Sequence, residues 1–531
     1  MRAILFDTKS IQRYIFSGNA LKTNIGASYI VDRLFQNILV EDILRSRYEV
    51  DEGWKAGKTD FAGLSAPCAV AYIGGGNALI LLREADEDEC RDIVYAFGKK
   101  LLDKFPGLAT GAAVGELDLS SDEAEIDSYK KLFMQLKQNQ NTLFPTVNIP
   151  YTGLTHLCDI SGETANARDS SGKRRFIARE TAVKNEYADR SQKALTQEFA
   201  DVLGEKYAFT RELEHLGQTR GEDYIAVVHI DGNNMGKKFA ALNLSKRIAM
   251  SQAVAGQTHG AFRALLRDVV DFCDRWQEQS EDAQTAAGFR LRRQKDGERL
   301  YLPLRPIILG GDDITFVCAA KVALYCVEKF MGYLATPTGS AELPEGIDSC
   351  AGVAFCKTAY PFFRAYELAE QVCGAAKKKA RAKEGSGWLD FILLHGEQSA
   401  DLATVREAEY SGAWVQNLHF GPYEVGKTAQ GEQDIKILFD CLNRLVRDNS
   451  ANLSRNKLKE LRFVLQKSAY DIKEFQVQAE HIGQSMPTCA GWENYAKNLW
   501  AQSGDERRTP YVDAIEMSDF WLLFDAGVKN G

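Results

Sequence analysis

A strand ending in an acid, then a helix, a glycine-turned hairpin, a second helix and a closing strand occur twice in this chain, and that repeat limits the fold more than any other feature. The first copy begins with MRAILFD (1–7), a short buried strand ending in Asp7. A helix over about 27–45 follows, with Ile30/Val31, Leu34/Phe35 and Ile38/Leu39 at helical spacing. In CAVAYIGGGNALILL (68–82), two apolar runs flank a glycine turn, which predicts a β-hairpin. A helix over about 88–104 and a strand near 108–115 complete a ferredoxin-like βαββαβ unit. The second copy opens with YIAVVHID (224–231) and a long helix that puts Phe262, Leu265/Leu266, Val269, Phe272/Cys273 and Trp276 on one face. LRPIILGGDDITFVCAA (304–320) repeats the hairpin, with a surface loop expected over 277–299. A helix near 321–334, the strand 348–355 and a further amphipathic helix over about 361–383 follow. From about residue 400 the pattern is helical, as in IKILFDCLNRLV and NKLKELRFVLQKSAYDIKEF.

The copies differ at the hairpin. The first turn is Gly74-Gly75-Gly76-Asn77, and the second is Gly310-Gly311-Asp312-Asp313. Adjacent carboxylates repel and raise each other's pKa, a cost that a divalent cation removes. Asp231 ends the strand that neighbours this hairpin in a ferredoxin-like sheet, so Asp231, Asp312 and Asp313 can converge. Hard oxygen ligands suit Mg²⁺ or Mn²⁺, and two such ions serve phosphoryl transfer. Gly310 and Gly311 let backbone approach a nucleotide without a Cβ clash. The loop Gly232-Asn233-Asn234-Met235-Gly236 leads into a helix and can cradle phosphate with its N–H groups. Lys377, in the run Ala376-Lys377-Lys378-Lys379-Ala380-Arg381, can meet a phosphate as a point charge. Taken singly, each feature also has a structural reading: GGDD as a turn, Asp231-Gly232-Asn233 as a strand exit, the lysine run as a helix end complementing the dipole. Their arrival together in the right order favours the functional one.

Composition sets outer bounds. A chain of 531 residues accommodates three or four domains of about 100–200 residues. Its net charge of -8 argues against coating nucleic acid non-specifically, though not against a local basic groove. The opening apolar run reaches Asp7 almost at once and no run of about 18 apolar residues occurs, so neither a signal peptide nor a membrane span is expected. The 11 cysteines include no CxxC pair and read as buried free thiols of a cytoplasmic protein.

HIDGNN (229–234) and LGGDDITF (309–316) resemble the second palm domain of the large polymerase-like subunit of type III CRISPR effector complexes, and more distantly the GGDEF diguanylate cyclases. Leu368-Ala369-Glu370 through Ala376-Lys377 resembles the helix that carries a phosphate-binding lysine in both families. FDTKSIQRYIF (6–16) and Gly26-Ala27-Ser28 resemble the start of that subunit's first palm. The likeness is specific over about 1–115 and 221–395 and only architectural elsewhere.

It implies an α+β chain of four parts: a degenerate palm (1–116), a mixed linker domain with a vestigial zinc-ribbon-like region (117–220), a catalytic palm (221–395) and a helical C-terminal domain (396–531). It also implies conversion of ATP to cyclic oligoadenylate, with Asp231, Asp312 and Asp313 as metal carboxylates, Gly310 and Gly311 as the turn and Lys377 on phosphate. The first palm would hold an acceptor nucleotide near Ser28 and Asn77. The family's HD nuclease is not expected, since no His-Asp dipeptide occurs, and zinc is not expected where LCDISGETANA keeps only Cys158. Implied partners are ATP or other NTPs, with crRNA-guided complex subunits and target RNA or, alternatively, a free-standing homo-oligomer. A silent scaffold in such a complex is the competing class. A templated polymerase is disfavoured by the acidic balance.

Overall fold

The computed structural model describes residues 1–523 apart from positions 58–60, 62, 143–152, 170–174, 218–222, 296, 384, 397–400, 427–428, 430 and 448–451. In the first unit, β1 (Arg2–Lys9), α1 (Ile11–Phe16) and α2 (Leu21–Leu34) lead into a π-helical stretch, Phe35–Leu44. The hairpin of β2 (Cys68–Gly74) and β3 (Asn77–Leu82), then α3 (Glu87–Lys104) and β4 (Ala109–Glu116), complete it. β1 lies between β3 and β4, antiparallel to both, and the short strand Val50–Asp51 extends the β2 edge. This is the ferredoxin-like strand order the repeat predicts.

Two long helices, α4 (Asp122–Thr142) and α5 (Arg179–Glu198), frame the segment between the units. α4 packs on β4 and β1, and α5 packs along α2. The sequence alone reads this stretch only as polar and mixed.

The second unit repeats the plan with β5 (Tyr224–Gly232), α6 (Met235–Ala240), α7 (Leu244–Gln277), β6 (Leu304–Gly310), β7 (Asp313–Ala319), α8 (Ala323–Leu334) and β8 (Ser349–Lys357). β5 is central, between β7 and β8. Residues 225–230 of this strand are all buried, which explains their unbroken apolar run apart from His229. The crossover helix α9 (Phe362–Ala382) then delivers β9 (Gly387–Leu393) parallel to β8. The C-terminal region is mostly helical, with α10 (Leu402–Glu409), α11 (Ile435–Val446), α12 (Arg455–Val464), α13 (Ala469–His481) and α14 (Tyr511–Ser518). It also returns one strand, β10 (Tyr423–Val425), to the edge of the second sheet. The stretch expected to be loop, 277–299, holds a helical turn, Glu281–Ala286, and buries Phe289 and Leu291.

α7 joins the units. Its first turns bury Leu244 and Ile248 in the first unit's core, and its later turns bury Phe262, Leu265 and Leu266 in the second. All eleven cysteines are buried and free, as their apolar settings predict. Among the described residues no helix is long and apolar enough to cross a membrane.

Candidate active site

The register of β5 against β7 places Asp231 opposite Asp313. The hairpin closes through Gly311 and Asp312, with Gly310 paired to Asp313. Gly311 has φ +66°, a left-handed conformation suited to glycine, so Asp312 can occupy the other turn position and carry a side chain. Thr258 of α7, fully buried, donates its hydroxyl to the Gly311 carbonyl at 2.5 Å. The Gly232 N–H donates to the Asp312 carbonyl at 3.1 Å, tying the strand exit to the turn. Three carboxylates are thereby fixed on adjoining backbone.

Each has a distinct environment. Lys377, from α9, hydrogen-bonds Asp231 Oδ2. Gln12, from α1 of the first unit, donates Nε2 to Asp313 Oδ2 at 3.0 Å. The other oxygen, Asp313 Oδ1, is buried without a hydrogen bond and lies 3.5 Å from Nδ1 of His229. Burial, then the negative charge of Asp231, pushes Asp312 up to about 6. Burial also pushes Asp313 up to about 6, against the lowering effect of the Gln12 hydrogen bond. Burial holds His229 below its ordinary value. For Lys377, burial works downward, but the hydrogen bond and charge of Asp231 overcome it and the ammonium is held above its ordinary value.

A recess of about 580 Å³, within the roughly 300–1,000 Å³ range of small-molecule sites, opens beside Asp231 and Asp312, while Asp313 lies behind its wall. Besides Asp231, Asp312 and Lys377, its wall includes Lys237 and Lys238 of α6 and Arg381 of α9. The sequence reading does not single out the α6 lysines, whose only signal is their place just after the glycine-asparagine loop.

The donor set fits a hard divalent cation: three carboxylates from one strand end and one turn, one of them with a buried, uncompensated oxygen. Among the described residues no three such groups are already gathered as a ligand cluster. Asp231 instead pairs with Lys377, and Asp313 with Gln12.

The remaining expected residues separate. Asn234 takes a left-handed turn, φ +58°, at the start of α6 and borders the recess. Asn233 borders it too, and is held there: its N–H donates to the Asp348 carbonyl at 2.7 Å, and its side chain accepts from Cys350 Sγ at 3.2 Å. Ser28 does not line the recess. Its hydroxyl donates to the carbonyl of Ile307 at 2.5 Å, at the β-bulge of β6, because α2 packs against that strand. Asn77 turns its amide back to the Gly75 carbonyl at 3.2 Å.

The first unit keeps the register without the hairpin acids. Asp7 lies opposite Asn77 as Asp231 lies opposite Asp313. Lys137 of α4 reaches Asp7 Oδ2 at 2.8 Å, the counterpart of Lys377 on Asp231, while the hairpin supplies no acid.

Residues 224–385 match the family model described as Cas10/Cmr2, second palm domain. No curated protein matches the chain. Similar solved structures include the Csm1–Csm4 subcomplex of the type III-A CRISPR-Csm interference complex, at 13% identity over 98% of this chain and 69% of that one, with TM-score 0.47. Csm1 of T. onnurineus is 14% identical over 98% and 69%, with TM-score 0.45. The Csm1–Csm4 cassette in complex with cA4 is 13% identical over the same 98% and 69%, with TM-score 0.45.

Proposed function

We propose that the chain is a metal-dependent nucleotidyltransferase that condenses ATP into cyclic oligoadenylate, or a related cyclic nucleotide, as a signal in antiphage defence. The observation that carries this reading is the register that sets Asp231 beside Asp313, with Asp312 in the adjoining turn, at a recess bordered by Asp231, Asp312 and Lys377. Carboxylates crowded there raise each other's proton affinity and contribute no packing of their own, a cost that a bound cation offsets. The match of residues 224–385 to the second palm model supports the same reading.

Asp231, Asp312 and Asp313 would hold Mg²⁺ or Mn²⁺. Bound there, the cation would lower the pKa of the attacking hydroxyl and neutralise charge on the triphosphate. In the reaction, a ribose hydroxyl oxygen of one nucleotide bonds to the α-phosphorus of another, the bond to pyrophosphate breaks, and the hydroxyl proton is released. Lys377, on a flexible stem, meets phosphate oxygens, and Lys237, Lys238 and Arg381 add positive charge around the triphosphate. The glycine turn keeps the backbone close to the nucleotide. The first unit, without hairpin acids, does not catalyse. Under this reading the partners are ATP, crRNA-guided complex subunits and an activating target RNA.

The test incubates the full chain with each NTP and Mg²⁺ or Mn²⁺, with and without guide and target RNA, beside Asp312→Ala/Asp313→Ala. Mass spectrometry is expected to find a cyclic product from wild type alone. Silence from wild type in every condition overturns the reading in favour of a scaffold.

A further inference from the structure

One catalytic carboxylate is gripped from the other half of the molecule. We infer that Gln12 is a positioning residue for Asp313, and that holding it in place is a working role of the unit that lacks hairpin acids. This rests on the proposed reading of the site as metal-dependent.

The contact is Gln12 Nε2 to Asp313 Oδ2 at 3.0 Å, between residues 301 positions apart. Its value depends on how firmly α1 is held, and α1 is held on three sides. At its C-terminal end, Lys184 of α5, 1% exposed, donates to the Tyr14 carbonyl at 2.5 Å and to Ser17 Oγ at 2.8 Å. On a second side, Phe16 stacks on Tyr366 with ring centroids 3.9 Å apart. Tyr366 belongs to α9, the helix that carries Lys377, so the two groups flanking the carboxylates share one support. On the third side, Ile11 fills the space over the first hairpin. A Cβ on Gly76 would lie 2.2 Å from Ile11 Cδ1.

That contact and the left-handed φ of +77° at Gly76 together disfavour an acid in the first turn, whereas Asp312 has no positive φ. Asn77 matches Asp313 in register, so Gly76 matches Asp312. An aspartate at 76 would crowd the end of the Ile11 side chain, next to Gln12, and would have to adopt a left-handed backbone.

The chemistry of the side chain suits the task. A neutral amide donor fixes one carboxylate oxygen without cancelling its charge, as an ammonium would, and leaves the second oxygen for a cation. Outer partners of ligating carboxylates act in this way, and their loss costs about 10–100-fold in metal affinity or activity.

The experiment uses the full chain as wild type, Gln12→Ala, Gln12→Glu and Asp312→Ala/Asp313→Ala. Mn²⁺ binding is titrated by electron paramagnetic resonance. Product formation from ATP is followed across Mg²⁺ concentrations, and thermal unfolding is recorded for each variant. Gln12→Glu keeps the shape and replaces the donor with an acid, so it separates the hydrogen bond from packing. Both Gln12 variants are expected to weaken Mn²⁺ binding about 10-fold and to shift the Mg²⁺ concentration at half-maximal rate by a similar factor, with unfolding unchanged. Wild-type Mn²⁺ binding in both, while Asp312→Ala/Asp313→Ala loses it, overturns this inference and leaves the metal site standing. Equal, weak Mn²⁺ binding by wild type and the double variant overturns the metal site and this inference together.

Discussion

Gly232 controls how closely the strand exit approaches the turn acids. A Cβ there would lie 2.8 Å from Met235 Cγ, 3.0 Å from Asp312 Cβ and 3.3 Å from Ile347 Cγ2. The methionine can rotate away. Asp312 can yield only by moving its carboxylate, because its carbonyl is already tied to the Gly232 N–H at 3.1 Å. A displacement of a few tenths of an ångström is cheap for folding and expensive for a site whose geometry must hold before reaction. Gly232→Ala is therefore expected to lower cyclic product formation by about 10–100-fold, while the unfolding temperature falls by only a few degrees. Product yield by mass spectrometry and scanning calorimetry on the same preparation measure the two effects. An unchanged rate would show that the spacing between Gly232 and Asp312 has no part in the chemistry.

Between elements, the hairpin turn depends on α7. Thr258 donates to the Gly311 carbonyl from a fully buried position, and Ser251 and Val254 of the same helix lie near the two hairpins, close to Gly74 and Gly311 respectively. Thr258→Val keeps the shape and removes the donor. A half-buried carbonyl left without its partner costs up to about 1–3 kcal/mol, and the turn it belongs to loses its anchor. The expected result is a destabilisation of that size in chemical denaturation, with a larger proportional loss of product formation than of stability. Equal activity would mean that the hairpin is rigid without α7. This anchor was invisible in the sequence, and the reason is physical. The carboxylates were legible because strand period, glycine turn and acid-ended strand are all local signals, and the strand order followed from their repetition. Gln12 acts across 301 positions, through the packing of one unit on the other, and Thr258 acts across 53, through the packing of α7 on the hairpin of its own unit. The partner of Ser28 is likewise hidden from the sequence, because it is decided by α2 lying on β6. The three-residue β10 carries too short a pattern for period-two alternation to show.

At the scale of the whole molecule, the second unit's sheet is clasped to the C-terminal region by a buried group of charges. Asp390 of β9 accepts from His419 Nε2 at 2.6 Å and from Arg406 of α10 at 2.6 Å. On the other side of the ring, Asp513 of α14 lies 3.1 Å from His419 Nδ1 and accepts from the Tyr423 hydroxyl at 2.7 Å. Both carboxylates are fully buried, so two positive charges must face them for the group to be balanced. Burial opposes a charged ring, but Asp513 and Asp390 overcome it and raise His419 to about 9. The sign follows. A histidine whose folded pKa lies above its unfolded value of 6.5 binds its proton more tightly when folded. Its stabilising contribution is complete below pH 6.5 and is lost as pH rises through about 9. His419→Gln removes the titrating group while keeping a side chain that hydrogen-bonds. Urea unfolding of wild type is expected to shift to lower denaturant between pH 6.5 and about 9, more steeply than that of the variant. The variant is the less stable of the two at the acid end and nearly matches wild type at the alkaline end. Parallel curves across that range would mean that the ring is neutral when folded, and that Arg406 alone balances Asp390 while Asp513 is held by the backbone N–H groups of Phe420 and Gly421. The two outcomes differ in whether the second unit's sheet and the C-terminal helices are joined by a protonated ring or by packing and neutral hydrogen bonds.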